Sequence, residues 1–68
     1  MKTLALLTSR QLEVAALIAR GYSNKRIASE LGISEHTVAR HLAAIYERLD
    51  CGRVEVAVLV VESGREAA

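Results

Sequence analysis

Sixty-eight residues, 51% of them apolar and 25% charged, with a formal net charge of +1, amount to one small domain and exclude a multidomain enzyme. No apolar run reaches the ~18 residues of a spanning helix, and the opening Met1 to Leu7 is too short for a secretory signal, so the expected setting is the cytoplasm with no membrane. The single cysteine excludes an internal disulfide and a cysteine-built zinc site, and the absence of Phe, Trp and Pro leaves an aliphatic core with a helical bias.

Residues 1–6 read as an N-terminal extension and residues 7–64 as the domain. Thr8 has the character of an N-cap, Gln11 completes a capping box three residues on, and Leu7 is placed as a hydrophobic staple. The first helix is expected over Ser9–Arg20, with Val14, Leu17 and Ile18 as its inward stripe and Gly21 as its terminator. Ser23 caps a short second helix, Asn24–Leu31, whose apolar face is Ile27, Ala28 and Leu31, and Gly32 ends it. Ser34 caps a third helix after only Gly32 and Ile33, with Glu35 favourably near the positive end of the macrodipole.

At about 100° per residue, and with His36 taken as zero, Val38, Leu42, Ile45 and Leu49 fall at roughly 180° to 240°, one compact seam that belongs in a core. Opposite it lie His36, Arg40, Ala43 and Glu47, flanked by Thr37 and Ala44 on one side and Ala39 on the other. This face is mostly short side chains, so another surface could approach its backbone closely. Residues 53–62 are rich in valine, but no second strand-like segment exists to pair with them, so they are expected to form a fourth helix. That helix is apolar on two faces. Val54, Ala57, Val58 and Val61 gather on one, while Val56, Leu59 and Val60 lie on the other. A helix docked on a small core buries only one such face, and the sequence leaves open which.

Enzymatic chemistry finds no support. His36 and His41 sit ~140° apart on one helix, where a chelating pair would be spaced i, i+4. Cys51 lies past the end of that helix and reads as a small buried hydrophobe. No carboxylate pair, glycine-rich phosphate cradle or Ser-His-Asp set is present, and no metal or cofactor is implied. Two helices joined by so short a glycine-containing turn fit a helix-turn-helix, in which the second helix enters the major groove and the first crosses the backbone. Spacing alone fits a plain helical hairpin equally well. A sequence pI near 8.0 does not decide, since nucleic-acid binders often exceed ~9.

From Leu7 to Leu42 the chain carries Leu-Thr-x-Arg, Gly-x-Ser-Asn-Lys, Ile-Ala, Leu-Gly-Ile-Ser and Thr-Val-x-x-His in that order. Taken together these motifs closely resemble the LuxR/GerE-type DNA-binding domain, and the likeness extends over roughly residues 7–62. The resemblance implies an all-α, four-helix domain that binds double-stranded DNA sequence-selectively and regulates transcription, with RNA polymerase as a further candidate partner. Its third helix would read the major groove, and its fourth would pair two protomers into a homodimer. It further implies that Asn24 and Lys25 contact phosphates. Ser34, His36 and Thr37 would sit where the third helix first meets DNA, and Ala39, Arg40 and Ala43 would face the groove. Dimerisation residues would come from Val54, Val58, Leu59 and Val61.

The chain departs from the usual pattern at several places. Ala39 and Ala43 stand where relatives often carry Lys or another long polar residue, which leaves Arg40 with much of the groove-facing charge. Gln11 replaces the usual Glu, and the loop Asp50-Cys51-Gly52-Arg53 is one residue shorter than the common pattern. Two rival readings follow. A sigma-factor region-four module shares the helix-turn-helix, although the apolar fourth helix and Thr-Val-x-x-His favour the LuxR type. A protein-interaction module that keeps the fold without DNA binding is the other, suggested by the two alanines and the modest pI.

Overall fold

Local capping chemistry sets the start of each of the first three helices. In the computed structural model, which describes residues 3–67, Thr8 Oγ1 accepts from the Gln11 amide at 3.1 Å and Gln11 Oε1 accepts from the Thr8 amide at 2.9 Å, the reciprocal pair of a capping box. Helix α1 then spans Ser9–Ala19. It closes through Gly21, whose φ of 82° lets its amide and that of Tyr22 turn back onto the carbonyls of Ile18 and Leu17. Ser23 Oγ accepts from the Arg26 amide and starts α2, Asn24–Leu31; Ser34 Oγ accepts from the Thr37 amide and starts α3, Glu35–Leu49. Helix α4 is Arg53–Ala67.

The four expected helices are thus present, and no strand occurs among the described residues. Helix α4 continues past the expected end at residue 62, with Gly64 inside it rather than after it. Arg20 caps α1 instead of forming its last turn. Of the expected N-terminal extension, Met1 and Lys2 lie outside the described residues, whereas Leu4–Leu6 form one 3-10 turn that packs against α3 and α4. Arg48 in the last turn of α3 donates to the Leu6 carbonyl at 2.9 Å and ties that turn down.

The core is aliphatic, as the composition requires. Val14, Ala15 and Ile18 from α1, Ile27 and Ala28 from α2, and the whole Val38, Leu42, Ile45, Leu49 seam of α3 are buried around it. Leu7 and Tyr22 close its edges. Helix α4 lies mainly along α1, and α2 mainly along α3. Val56 is the fully buried residue of α4, and Ala57, Leu59 and Val60 pack beside it, which leaves Val54, Val58 and Val61 outward. Cys51 is half-buried against the same cluster as a free thiol. Gln11 is the buried polar residue, and its capping role supplies its hydrogen bond.

One position carries backbone strain. Asp50 closes α3 with φ 51°, the left-handed region in which L side chains other than Asn and Asp are rare. Its carboxylate stands at the negative end of the α3 macrodipole, with no hydrogen bond or ion pair among the described residues. Asp50→Asn keeps the backbone preference and removes the charge, and it should raise stability by about 0.3–1 kcal/mol. Urea unfolding followed by circular dichroism reads this as a higher midpoint at unchanged slope. A lower midpoint would show that the carboxylate has a favourable role.

Candidate nucleic-acid interface

The turn between α2 and α3 sets the geometry of the exposed face. Gly32 has φ 67°, and its amide and that of Ile33 both bond the Ala28 carbonyl, so the chain reverses within two residues. Ile33 packs onto the core from this turn. Ser34 Oγ then pairs with both the amide and the hydroxyl of Thr37, at 3.0 and 2.9 Å. The first turn of α3 is therefore held from its own end.

With Val38, Leu42, Ile45 and Leu49 buried, α3 can only present its opposite side. Ser34, His36, Ala39, Arg40 and Ala43 are exposed, and Thr37 is half-buried at the flank. The structure so gathers six of the expected contact residues on one surface. Asn24 and Lys25 open α2; Lys25 is exposed and Asn24 half-buried.

A second cluster, which the sequence did not suggest, surrounds Tyr22 in the turn before α2. The Arg26 guanidinium lies 3.8 Å from the ring centroid and donates to the Tyr22 hydroxyl at 3.2 Å, while that of Arg20 lies 5.1 Å from the same ring. From α4, Arg53 Nη2 donates to the Tyr22 carbonyl and Nη1 to Asn24 Oδ1, both at 2.7 Å. The ion pair among the described residues joins Arg10 and Glu13, on the exposed side of α1. Among the described residues, none of the three arginines around Tyr22 is thus paired with a carboxylate. Arg48, by contrast, is turned toward Leu6 and away from this cluster.

The outer face of α4 offers a different surface. Val54 is 73% exposed, Val58 47% and Val61 45%. Val54, Glu55, Val58 and Leu59 line an open, largely apolar groove along it. Leu59 belongs to both sides, since it also packs against the core.

The helix order and the glycine-bounded turn match a known family. Residues 5–61 match the GerE model, which describes bacterial regulatory proteins of the luxR family. This chain belongs to that family. Among curated relatives, the nitrate/nitrite response regulator protein NarP of Escherichia coli K12 is 41% identical over 59 residues, 85% of this chain and 27% of its own length. The transcriptional regulatory protein DegU of Brevibacillus brevis is 38% identical over 64 residues, 93% of this chain and 27% of its length. A nitrate/nitrite response regulator homologue of Haemophilus influenzae is 43% identical over 60 residues, 87% of this chain and 29% of its length. The chain thus spans less than a third of the length of these relatives.

As a GerE-type helix-turn-helix, the domain depends on the Ser34 cap to set the entry of α3. Ser34→Ala removes the acceptor of the Thr37 amide and should lower stability by about 1 kcal/mol. Ser34→Gly, which admits solvent to the same amide, should cost only a few tenths. Urea midpoints of the two variants and the parent check the ranking; a Ser34→Ala midpoint equal to the parent's would mean that the hydroxyl does not support the helix.

Proposed function

We propose that this domain binds double-stranded DNA sequence-selectively with α3 in the major groove, as a homodimer formed through the outer face of α4, and so regulates transcription. The observation that carries the reading is the exposed face of α3, short side chains around a single long cation, set opposite a fully buried seam in a chain of the luxR family. An α-helix fits the major groove, and alanines at positions 39 and 43 allow its backbone close to base edges. Arg40 is the residue of that face able to bind guanine bidentately. Asn24 and Lys25 contact phosphates from the start of α2, and Ser34, His36 and Thr37 meet the backbone where α3 enters.

Regulation of transcription is supported by the relatives, whose names describe transcriptional and response regulators. RNA polymerase is the machinery that such a regulator acts on. No helix among the described residues is long and apolar enough to cross a membrane. The dimer rests on Val54, Val58 and Val61, which form a continuous apolar strip that no part of the described chain covers. A closed two-fold contact there pairs two copies of α3 with two half-sites. No catalytic role is assigned to any residue.

Binding should be selective for duplex and should weaken steeply with salt, since each phosphate neutralised contributes about 0.9 to the log-log slope. Selection from a random duplex pool at stated salt identifies the site. On that site Arg40→Ala should flatten preference at one base per half-site, costing about 1–3 kcal/mol of discrimination, whereas Lys25→Ala should weaken all sequences alike. A flat salt slope or equal affinity for single strands overturns DNA recognition and favours the protein-interaction reading.

The dimer makes a separate claim. Val58→Asp should leave a folded domain that sediments as a monomer and loses cooperative binding to a two-half-site duplex. Leu59→Asp should unfold the chain, because its side chain also packs on the core. Equilibrium sedimentation with and without duplex, with circular dichroism as the folding control, tests both. Unchanged cooperativity in a folded Val58→Asp protein would place the dimer surface elsewhere.

A further inference from the structure

Arg53 is the first residue of α4, yet its side chain does its work on α2. Its two Nη atoms grip two neutral oxygens, the Asn24 side-chain amide oxygen and the Tyr22 main-chain carbonyl, each at 2.7 Å. The fork therefore spans the Tyr22-to-Asn24 segment that leads into α2 and fixes one end of the Asn24 amide. An asparagine amide has an accepting end and a donating end, and free rotation would present either. With Oδ1 taken by Arg53, the Asn24 group left without a partner among the described residues is Nδ2, which can only donate. A donor suits phosphate oxygens, whereas an outward-facing Oδ1 would repel them.

We infer that Arg53 is a positioning residue: by holding Asn24 Oδ1 and the Tyr22 carbonyl it keeps the Asn24 amide donor-outward for a DNA phosphate at the start of α2. The inference rests on the DNA reading above. Arg53 also brings a positive charge that no described carboxylate neutralises, which raises the local attraction for an anion without a contact of its own. Because Arg53 immediately precedes Val54, the most exposed valine of the α4 strip, the same helix turn serves both proposed surfaces.

The test uses the parent chain, Arg53→Gln, Arg53→Lys, Asn24→Ala and the Arg53→Gln/Asn24→Ala double variant, at a temperature at which circular dichroism shows each folded. Binding to a labelled duplex of mixed sequence is measured across salt. Arg53→Gln and Asn24→Ala should each weaken binding about three- to tenfold, the loss of one imperfectly held hydrogen bond. The double variant should be no weaker than the poorer single, and Arg53→Lys should recover part of the loss. Additive losses would overturn the inference. So would a salt slope that falls by about 0.9 in Arg53→Gln, because Arg53 would then neutralise a phosphate itself.

A second readout does not need DNA. In two-dimensional nitrogen-proton spectra, the Asn24 side-chain amide protons of the parent should be well separated. In Arg53→Gln they should move toward free-asparagine values, while the backbone amides of α2 hold their positions. An Asn24 amide indifferent to Arg53 overturns the positioning role, and a parent chain that binds no duplex overturns the DNA reading on which the phosphate contact depends.

Discussion

The exposed face of α3 follows from the way its buried seam is held. Val38, Leu42, Ile45 and Leu49 are at most 4% exposed, and each buried side chain of this kind contributes about 1.5–3 kcal/mol relative to exposure. In a chain of this size that is comparable with the whole net stability, about 0.05–0.15 kcal/mol per residue. Helix α3 cannot roll about its axis without exposing part of the seam. Its free face, from His36 through Arg40 to Ala43, is therefore fixed by residues that point the other way. The same constraint explains the close turn at Gly32: a left-handed residue is the shortest way to return the chain onto α2 without pulling the seam out of register.

The remaining helices act on that seam from two sides. Helix α2 closes on α3, and α1 carries α4. Polar links then lock the edges that aliphatic packing leaves loose. Arg48 fastens the 3-10 turn to the end of α3, and Arg53 fastens the start of α4 to the Tyr22–Asn24 segment. Non-directional packing sets how deep each helix lies, whereas these guanidinium contacts set where its ends are. Tyr22 is the meeting point of the second set, with its carbonyl bound by Arg53, its hydroxyl by Arg26, and its ring beneath Arg26.

What could be read in the sequence was local or periodic. The Thr8, Ser23 and Ser34 caps each bond an amide three residues on, and the α3 seam repeats at helical spacing, so neither needs knowledge of the rest of the chain. The inward face of α4 was not legible. Val56 and Val58 have the same chemistry, and only contact with α1 decides that the first is buried and the second exposed. Asp50 took a left-handed position where glycine would be expected, because an aspartate tolerates that region. Gly64 lies beyond the expected end of α4 at residue 62 yet sits inside the helix, since a glycine weakens a helix without obliging it to stop. The Arg53 contacts join residues 29 and 31 positions apart, a distance that no local pattern signals.

Ala39 and Ala43 change how a face of this kind can gain affinity. Side chains that end at Cβ offer no hydrogen bond, so the proposed groove contact of a single copy rests on Arg40 and on donors at the α3 entry. Positive charge is gathered instead around the start of α2, at Arg20, Lys25, Arg26 and Arg53. In the proposed complex, phosphate contacts made there would supply affinity and register but no sequence information. Discrimination in that complex would come from few base contacts per copy, and repetition is the physical route to more of it. A second copy held at fixed spacing turns its own binding into an intramolecular event, multiplying affinity without any new type of contact. On the proposed function, the apolar strip of α4 and the sparse face of α3 would then be two parts of one design: the fewer groups each copy uses to read DNA, the more its selectivity depends on the surface that pairs it.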